Sequence, residues 1–126
     1  MSDEPRRFGL FRNDPNTRHY ASGAVVFSQG EEDDTMFAVS RGSVGIEVDG
    51  RRVAVLGPDE VFGEMALLEH GPRSATALAL EQSELVEIDK TRFYILVRQN
   101  PHFALQLMQL LSERLRRADA LYRVDG

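Results

Sequence analysis

"VGIEVDGRRVAVLG", residues 44 to 57, carries the clearest structural signal in this 126-residue chain. Val44, Ile46 and Val48 alternate with Gly45, Glu47 and Asp49. That is the period of a half-buried strand, whose successive side chains point to opposite faces. Asp49-Gly50 then supports a two-residue hairpin turn, because glycine tolerates the positive φ that such a turn needs. Val53 and Val55 continue on the returning strand, and Gly57-Pro58 marks the next turn. A tight antiparallel hairpin at the centre predicts a mainly β domain.

The flanks extend the pattern. Val25-Val26-Phe27 is short and β-prone and ends at Gln29-Gly30; Met36-Phe37-Ala38-Val39 resumes the pattern, and Arg41-Gly42 turns it. Ser74 to Leu80 is strand-like, Glu81-Gln82-Ser83 turns, and Leu85 to Ile88 follows as a strand. Short strands separated by turns predict an antiparallel sandwich or barrel. The run Glu31-Glu32-Asp33-Asp34 reads as a solvated acidic turn. Residues 1 to 23 are polar and broken by Pro5 and Pro15, and read as a tail with one helical turn around Phe8 to Phe11.

The period changes at Asp89, a suitable N-cap, and Phe93, Leu96 and Val97 mark one face of a short helix. Asn100-Pro101 restarts a helix that the pattern carries to about Tyr122, since asparagine caps and proline suits the first helical position. Ala104, Met108, Leu111, Leu115, Ala118 and Tyr122 follow a 4-3-4-3-4 spacing, the seam of a heptad repeat. That stripe suits packing on the domain's own sheet or pairing with a second copy in a homodimer. The organisation expected is a tail or short helix over 1–19, an antiparallel β domain over 20–100 and a C-terminal helix over 101–126.

Composition limits the function classes. Hydrophobic residues make up 42% and charged residues 28%, which places the chain among ordinary globular domains and not disordered ones. No apolar run approaches the ~20 residues that a membrane helix needs, and MSDEPRRFG has no apolar segment to make it a secretory signal. The expectation is a cytoplasmic protein without membrane insertion; the absence of cysteine fits it and excludes thiol chemistry. The net charge of -5 and pI of about 5.2 make a poor nucleic-acid binder, so an anionic ligand needs local positive groups.

One stretch provides them. "FGEMALLEHGPRSATA", residues 62 to 77, sets Gly63-Glu64 and Arg73-Ser74 at either end of an apolar, turn-rich segment. Glycine before a short helix lets a ligand approach the backbone, where free N–H groups favour an anion. Glu64 can accept hydrogen bonds from sugar hydroxyls, Arg73 offers a planar fork to a phosphate, and Ser74 adds a hydroxyl. These groups together suit a nucleotide. On spacing alone, a Glu64–Arg73 salt bridge closing the loop accounts for both charges equally well.

The stretch resembles the phosphate-binding cassette of cyclic nucleotide-binding domains, the family of bacterial catabolite activator proteins, kinase regulatory subunits and nucleotide-gated channels. Phe62-Gly63-Glu64, the block Met65-Ala66-Leu67-Leu68 and Pro72-Arg73-Ser74-Ala75-Thr76 are all present. "FSQGEEDDTMFAVSRGSVGIEV" upstream resembles the family's early strands, and "NPHFALQLMQLLSERLRR" its C-terminal helix. Asp59 departs from the pattern, standing where a glycine often sits. The resemblance implies an antiparallel, jelly-roll-like β-roll with a short N-terminal helical segment and C-terminal helices. It implies Glu64 on the ribose 2'-hydroxyl. The phosphate would be held by the backbone around Phe62, Gly63, Met65 and Ala66 together with Arg73, Ser74 and Ala75. It also implies a lid on the base from the C-terminal helix, with Arg114 best placed and Ala118 and Asp119 one turn on; Arg114 as a surface arginine fits as well.

The implied protein is a stand-alone sensor of cAMP, in preference to cGMP, that moves its C-terminal helix and so controls an effector protein. A metal-dependent enzyme on a similar roll needs clustered histidines and carboxylates, whereas His19, His70 and His102 stand singly. Neither a nucleophile arrangement nor a P-loop is visible, so no catalysis and no metal or cofactor are expected. The sequence to Gly126 contains no helix-turn-helix, and direct DNA binding is not expected. Two other readings are a degenerate fold serving as an interaction module without ligand and a sensor fragment of a larger channel or transcription regulator.

Overall fold

The computed structural model describes residues 10–11 and 14–125, with side chains to residue 116. The elements run β1 (Arg18–Tyr20), β2 (Val25–Phe27), β3 (Met36–Arg41), β4 (Val44–Val48), β5 (Arg51–Leu56), β6 (Val61–Phe62), α1 (Glu64–Glu69), β7 (Thr76–Ala79), β8 (Ser83–Ile88), α2 (Lys90–Gln99) and α3 (Pro101–Asp125). Among the described residues the strands form two four-stranded antiparallel sheets, ordered β1-β8-β3-β6 and β2-β7-β4-β5. This is the antiparallel architecture that the turn spacing predicts, and the β-roll with helices that the resemblance implies.

The hairpin is as read: Asp49 has φ 52 and Gly50 φ 81, so both central residues are left-handed. Its register carries a bulge. Val44 pairs with Leu56 and Ile46 with Ala54, but Glu47 pairs with Arg52, so the ladder shifts by one residue after Ile46. The inward residues of β5 are therefore Ala54 and Leu56, while Val53 and Val55 are exposed. Alternation alone does not reveal a bulge, which inserts one residue into one strand.

Both sheets feed one core. Phe27, Phe37, Val39, Val44, Leu56, Phe62, Ala77 and Leu85 form a buried cluster drawn from seven of the eight strands. Within it the rings of Phe27, Phe37 and Phe62 lie 5.5–5.9 Å apart, centroid to centroid. Residues 36–40 of β3 are buried without alternation, the pattern of a strand covered on both faces. This is why that segment reads as a continuous apolar run.

The N-terminal reading needs a correction. Arg18–Tyr20 is no tail: it is β1, paired with residues 83–85 of β8, and Phe11 is fully buried. Three residues with two charged or polar members carry no periodic signal, so pairing with a neighbour decides the strand. The helical turn expected around Phe8 to Phe11 falls mostly outside the described residues.

The chain divides into two compact units, with residues 7–93 in one and residues 94 onward in the other. The first holds both sheets and α1. In the second, Phe103 and Leu107 are buried on α3 while Met108 and Leu115 are 61% and 72% exposed. Among the described side chains of α3 the heptad seam is thus not the buried stripe; Phe103 and Leu107, one turn apart, are. At the start of α2, Asp89 caps as expected: its Oδ1 accepts the Arg92 N–H at 2.8 Å.

Candidate functional site

Gly63 begins the site. Its φ of 77 is left-handed, and it precedes α1 at the N-cap position. A Cβ built there would lie 2.8 Å from Arg73 Nη1 and 3.3 Å from the Phe27 ring. Both backbone conformation and space require glycine at this position. In the six-residue α1, Glu64, Ala66 and Leu67 are buried and Met65 is exposed. Phe62 is a core residue at the end of β6. Ser74 is exposed and Ala75 half-buried.

Arg73 is the centre of the arrangement, with a side chain only 2% exposed. Its Nη1 donates to the Gly63 carbonyl at 3.1 Å, and its Nη2 donates to Asp33 Oδ2 and to Thr35 Oγ1, each at 3.1 Å. The guanidinium carbon lies 4.0 Å from the centroid of the Phe27 ring, so this member of the aromatic trio supplies a cation–π floor. Nε is buried and has no hydrogen-bond partner among the described residues. A buried donor left open costs stability unless something accepts it.

The backbone holds this segment as firmly as the side chain does. Arg73 N donates to the Glu31 carbonyl at 2.7 Å, and Gly30 N donates to the Arg73 carbonyl at 2.8 Å. Glu32 and Pro72 form an isolated bridge between them. Gln29 N donates to Thr76 Oγ1 at 2.9 Å. The loop from Gly30 to Asp34 is thereby zipped onto the cassette.

The acidic run is exposed, as expected, and one of its members also reaches the cassette. Asp33 Oδ2 accepts from both Arg73 Nη2 and the Thr35 hydroxyl, and its Oδ1 accepts the Asp34 N–H. Burial disfavours the Asp33 carboxylate, but these hydrogen bonds and the Arg73 charge outweigh it and hold its pKa below 3.8. The ion pair of Arg73 is with Asp33, so a Glu64–Arg73 closure is not what the loop uses. Phe27, Asp33 and Thr35 are the residues that motif reading misses. The run of four acids signals negative charge but does not say which acid meets Arg73.

Asp59, the departure noted in the sequence, takes φ 68 and is buried, with its N–H donated to the Val39 carbonyl at 2.7 Å. Aspartate thus adopts the left-handed turn, which it tolerates better than most non-glycine residues. Nearby, an open depression of about 450 Å³ is lined by Glu32, Asp33, Asp34, His70, Gly71 and Pro72. Three carboxylates in its wall make it a poor place for a phosphate. Arg114 is half-buried on α3, and the side chains of Ala118 and Asp119 lie outside the described residues.

The family model of the cyclic nucleotide-binding domain matches residues 17–100. The chain belongs to this family. Over 107 residues it is 40% identical to the cyclic AMP receptor protein of Thermus thermophilus, covering 81% of this chain and 50% of that protein. The crystal structure of the Thermus thermophilus catabolite activator protein superposes with a TM-score of 0.80 at 38% identity, covering 86% of this chain and 54% of that one. A structure from a bacterial cyclic-GMP-dependent signalling pathway superposes at 0.71 with 32% identity, covering 79% of this chain and 84% of that one. The chain spans about half the length of the first curated relatives it matches. Among the described residues no helix is long and apolar enough to cross a membrane.

Proposed function

We propose that this domain is a regulatory sensor that binds a 3',5'-cyclic nucleotide, cAMP in preference to cGMP. The observation that carries the reading is a buried arginine on an aromatic floor, beside a glycine that leaves space for nothing but hydrogen, inside the family's cassette. In this reading Arg73, Ser74, Ala75 and the backbone from Phe62 to Ala66 hold the cyclic phosphate, and Glu64 accepts the ribose 2'-hydroxyl. A cation held in a site of low dielectric gains more from an anion than it would in water. Preference for cAMP is supported by the 40% identity with a cyclic AMP receptor protein.

Ligand binding then favours a position of α3 in which Arg114, or Ala118 and Asp119, covers the base. The surface of α3 offered to an effector protein changes with it. The exposed Met108 and Leu115 support a homodimer through α3, which mass measurement in solution tests: a strict monomer at high concentration removes the pairing. Coverage of half the relatives' length favours a second reading, in which the same sensor serves a larger regulator.

The deciding experiment is a calorimetric titration with cAMP and cGMP, singly and in competition. Saturable binding, tighter for cAMP, is expected. If neither nucleotide binds, the domain is an interaction module and the sensor reading fails. Hydrogen exchange over residues 101–122 that is identical with and without nucleotide removes the switching step.

A further inference from the structure

We infer that Asp33 is an internal competitor of the ligand: its carboxylate occupies the arginine that the phosphate needs and sets the nucleotide threshold of the sensor. The inference rests on the cyclic nucleotide reading of the cassette and adds a regulation that the cassette motif does not contain.

A guanidinium has five N–H bonds and two edges on which two of them lie parallel, Nε with Nη2 and Nη1 with Nη2. A bidentate grip on a phosphate needs one of those edges, and both include Nη2. In this structure Nη2 donates to both Asp33 Oδ2 and Thr35 Oγ1, each at 3.1 Å. Nε is buried without an acceptor among the described residues, and Nη1 donates to the Gly63 carbonyl. A phosphate that grips either edge must therefore draw on Nη2, the nitrogen that Asp33 and Thr35 already engage.

Of the two acceptors on Nη2, Asp33 is the one that resists an incoming anion. It carries a full negative charge 3.1 Å from the nitrogen, and a phosphodiester at the same edge meets that charge at close range. Thr35 is neutral and buried, and its hydroxyl donates to Asp33 Oδ2, so it orients the carboxylate. Asp33 also has somewhere to go. Its side chain is 37% exposed, whereas Arg73 is 2% exposed, so the aspartate can turn into solvent while the arginine stays on its Phe27 floor. The backbone bonds from Arg73 N to the Glu31 carbonyl and from Gly30 N to the Arg73 carbonyl keep the loop in place throughout. The switch is thus a side-chain rotation and not a loop opening.

The test measures cAMP affinity by calorimetry and association rate by stopped flow for the wild-type chain, Asp33→Asn, Asp33→Ser, Asp34→Asn and Arg73→Ala. Asp34 is the control for charge: its loss changes net charge by the same amount, and its backbone, not its carboxylate, meets Asp33. Both Asp33 variants are expected to bind about 5- to 10-fold tighter, with most of the gain in association rate, as befits loss of one half-exposed pair. Asp34→Asn is expected to change affinity less than about twofold, a through-space effect screened by salt. Unchanged or weaker binding in folded Asp33 variants overturns the inference, because Asp33 then positions Arg73 instead of competing for it. Equal tightening by Asp34→Asn also overturns it, since the effect is then the field of the loop. Unaltered binding in Arg73→Ala instead overturns the cassette reading, which separates the two failures.

Discussion

Two arginine–carboxylate pairs in this domain have nearly the same length and opposite settings. Arg73 meets Asp33 at 3.1 Å with its side chain 2% exposed; Arg52 meets Glu47 at 3.0 Å across the central hairpin with its side chain 44% exposed. Distance does not distinguish them. Water does: it screens the hairpin pair and leaves little there beyond a few tenths of a kcal/mol, up to about 1. The cassette guanidinium has given up its hydration for a carbonyl, a hydroxyl, a carboxylate and an aromatic face. That desolvation is costly and is offset only by these contacts, whereas the hairpin pair gives up little water and gains little.

The comparison breaks most readily at Arg73. Arg73→Ala is expected to reduce cyclic nucleotide affinity by about 30-fold to several-thousand-fold, the effect of losing one partner of a buried charged contact at ~2–5 kcal/mol. Calorimetry on the folded variant measures it, and circular dichroism checks the fold. Arg52→Ala should leave affinity within twofold; an equal loss in both variants would mean that burial does not set their roles.

Next in size is Gly63→Ala. The left-handed φ of 77 and the 2.8 Å approach to Arg73 Nη1 both oppose a methyl group, and the expected cost is ~1–3 kcal/mol of stability. Denaturant unfolding reads this, and nucleotide affinity should fall with it because Arg73 is displaced. An alanine variant with unchanged midpoint and affinity would show that the guanidinium has room elsewhere.

A double-mutant cycle sharpens the contrast. Coupling between Arg52 and Glu47 is expected below about 1 kcal/mol and to fade with salt. Coupling between Arg73 and Asp33 is expected to be larger and less salt-sensitive, although the partial exposure of Asp33 moderates it. Equal couplings would collapse the distinction.

The smallest effect is in pH. Asp33 has its pKa lowered below 3.8 in the folded state, so its stabilising contribution is fully present above that value and is lost as pH falls through the lower one. The stability difference between wild type and Asp33→Asn should therefore be flat above about pH 5 and shrink in more acidic solution. A difference that grows on acidification contradicts the assignment.

Much of this was legible in the chain. The hairpin at Asp49-Gly50 and the strands at Val25, Met36 and Leu85 follow from alternation and turn residues, which are local. The cassette was legible because Gly63 and Arg73 lie within one motif. Asp33 and Thr35 were not, because their meaning depends on a partner 40 and 38 residues away in sequence. Tertiary contact pairs such residues, and no periodicity in the run Glu31–Asp34 marks which acid meets the arginine. β1 was hidden for a related reason: Arg18, His19 and Tyr20 have no strand pattern of their own and take their conformation from β8. On α3 the heptad spacing is present in the sequence, yet among the described side chains Phe103 and Leu107 are the buried ones, because spacing names a face and does not say what covers it.

The bulge in the hairpin has a consequence for handling the protein. β5 is the outermost strand of its sheet, so one row of its peptide groups can recruit a foreign strand. The one-residue shift after Ile46 disrupts the regular ladder, and Arg51 and Arg52 place two cations at the same end. The exposed Val53 and Val55 supply the stickiness that these devices restrain. Deleting the extra residue and neutralising both arginines would leave a flatter, uncharged margin, and light scattering on concentrated samples should register the resulting fibrils or clumps.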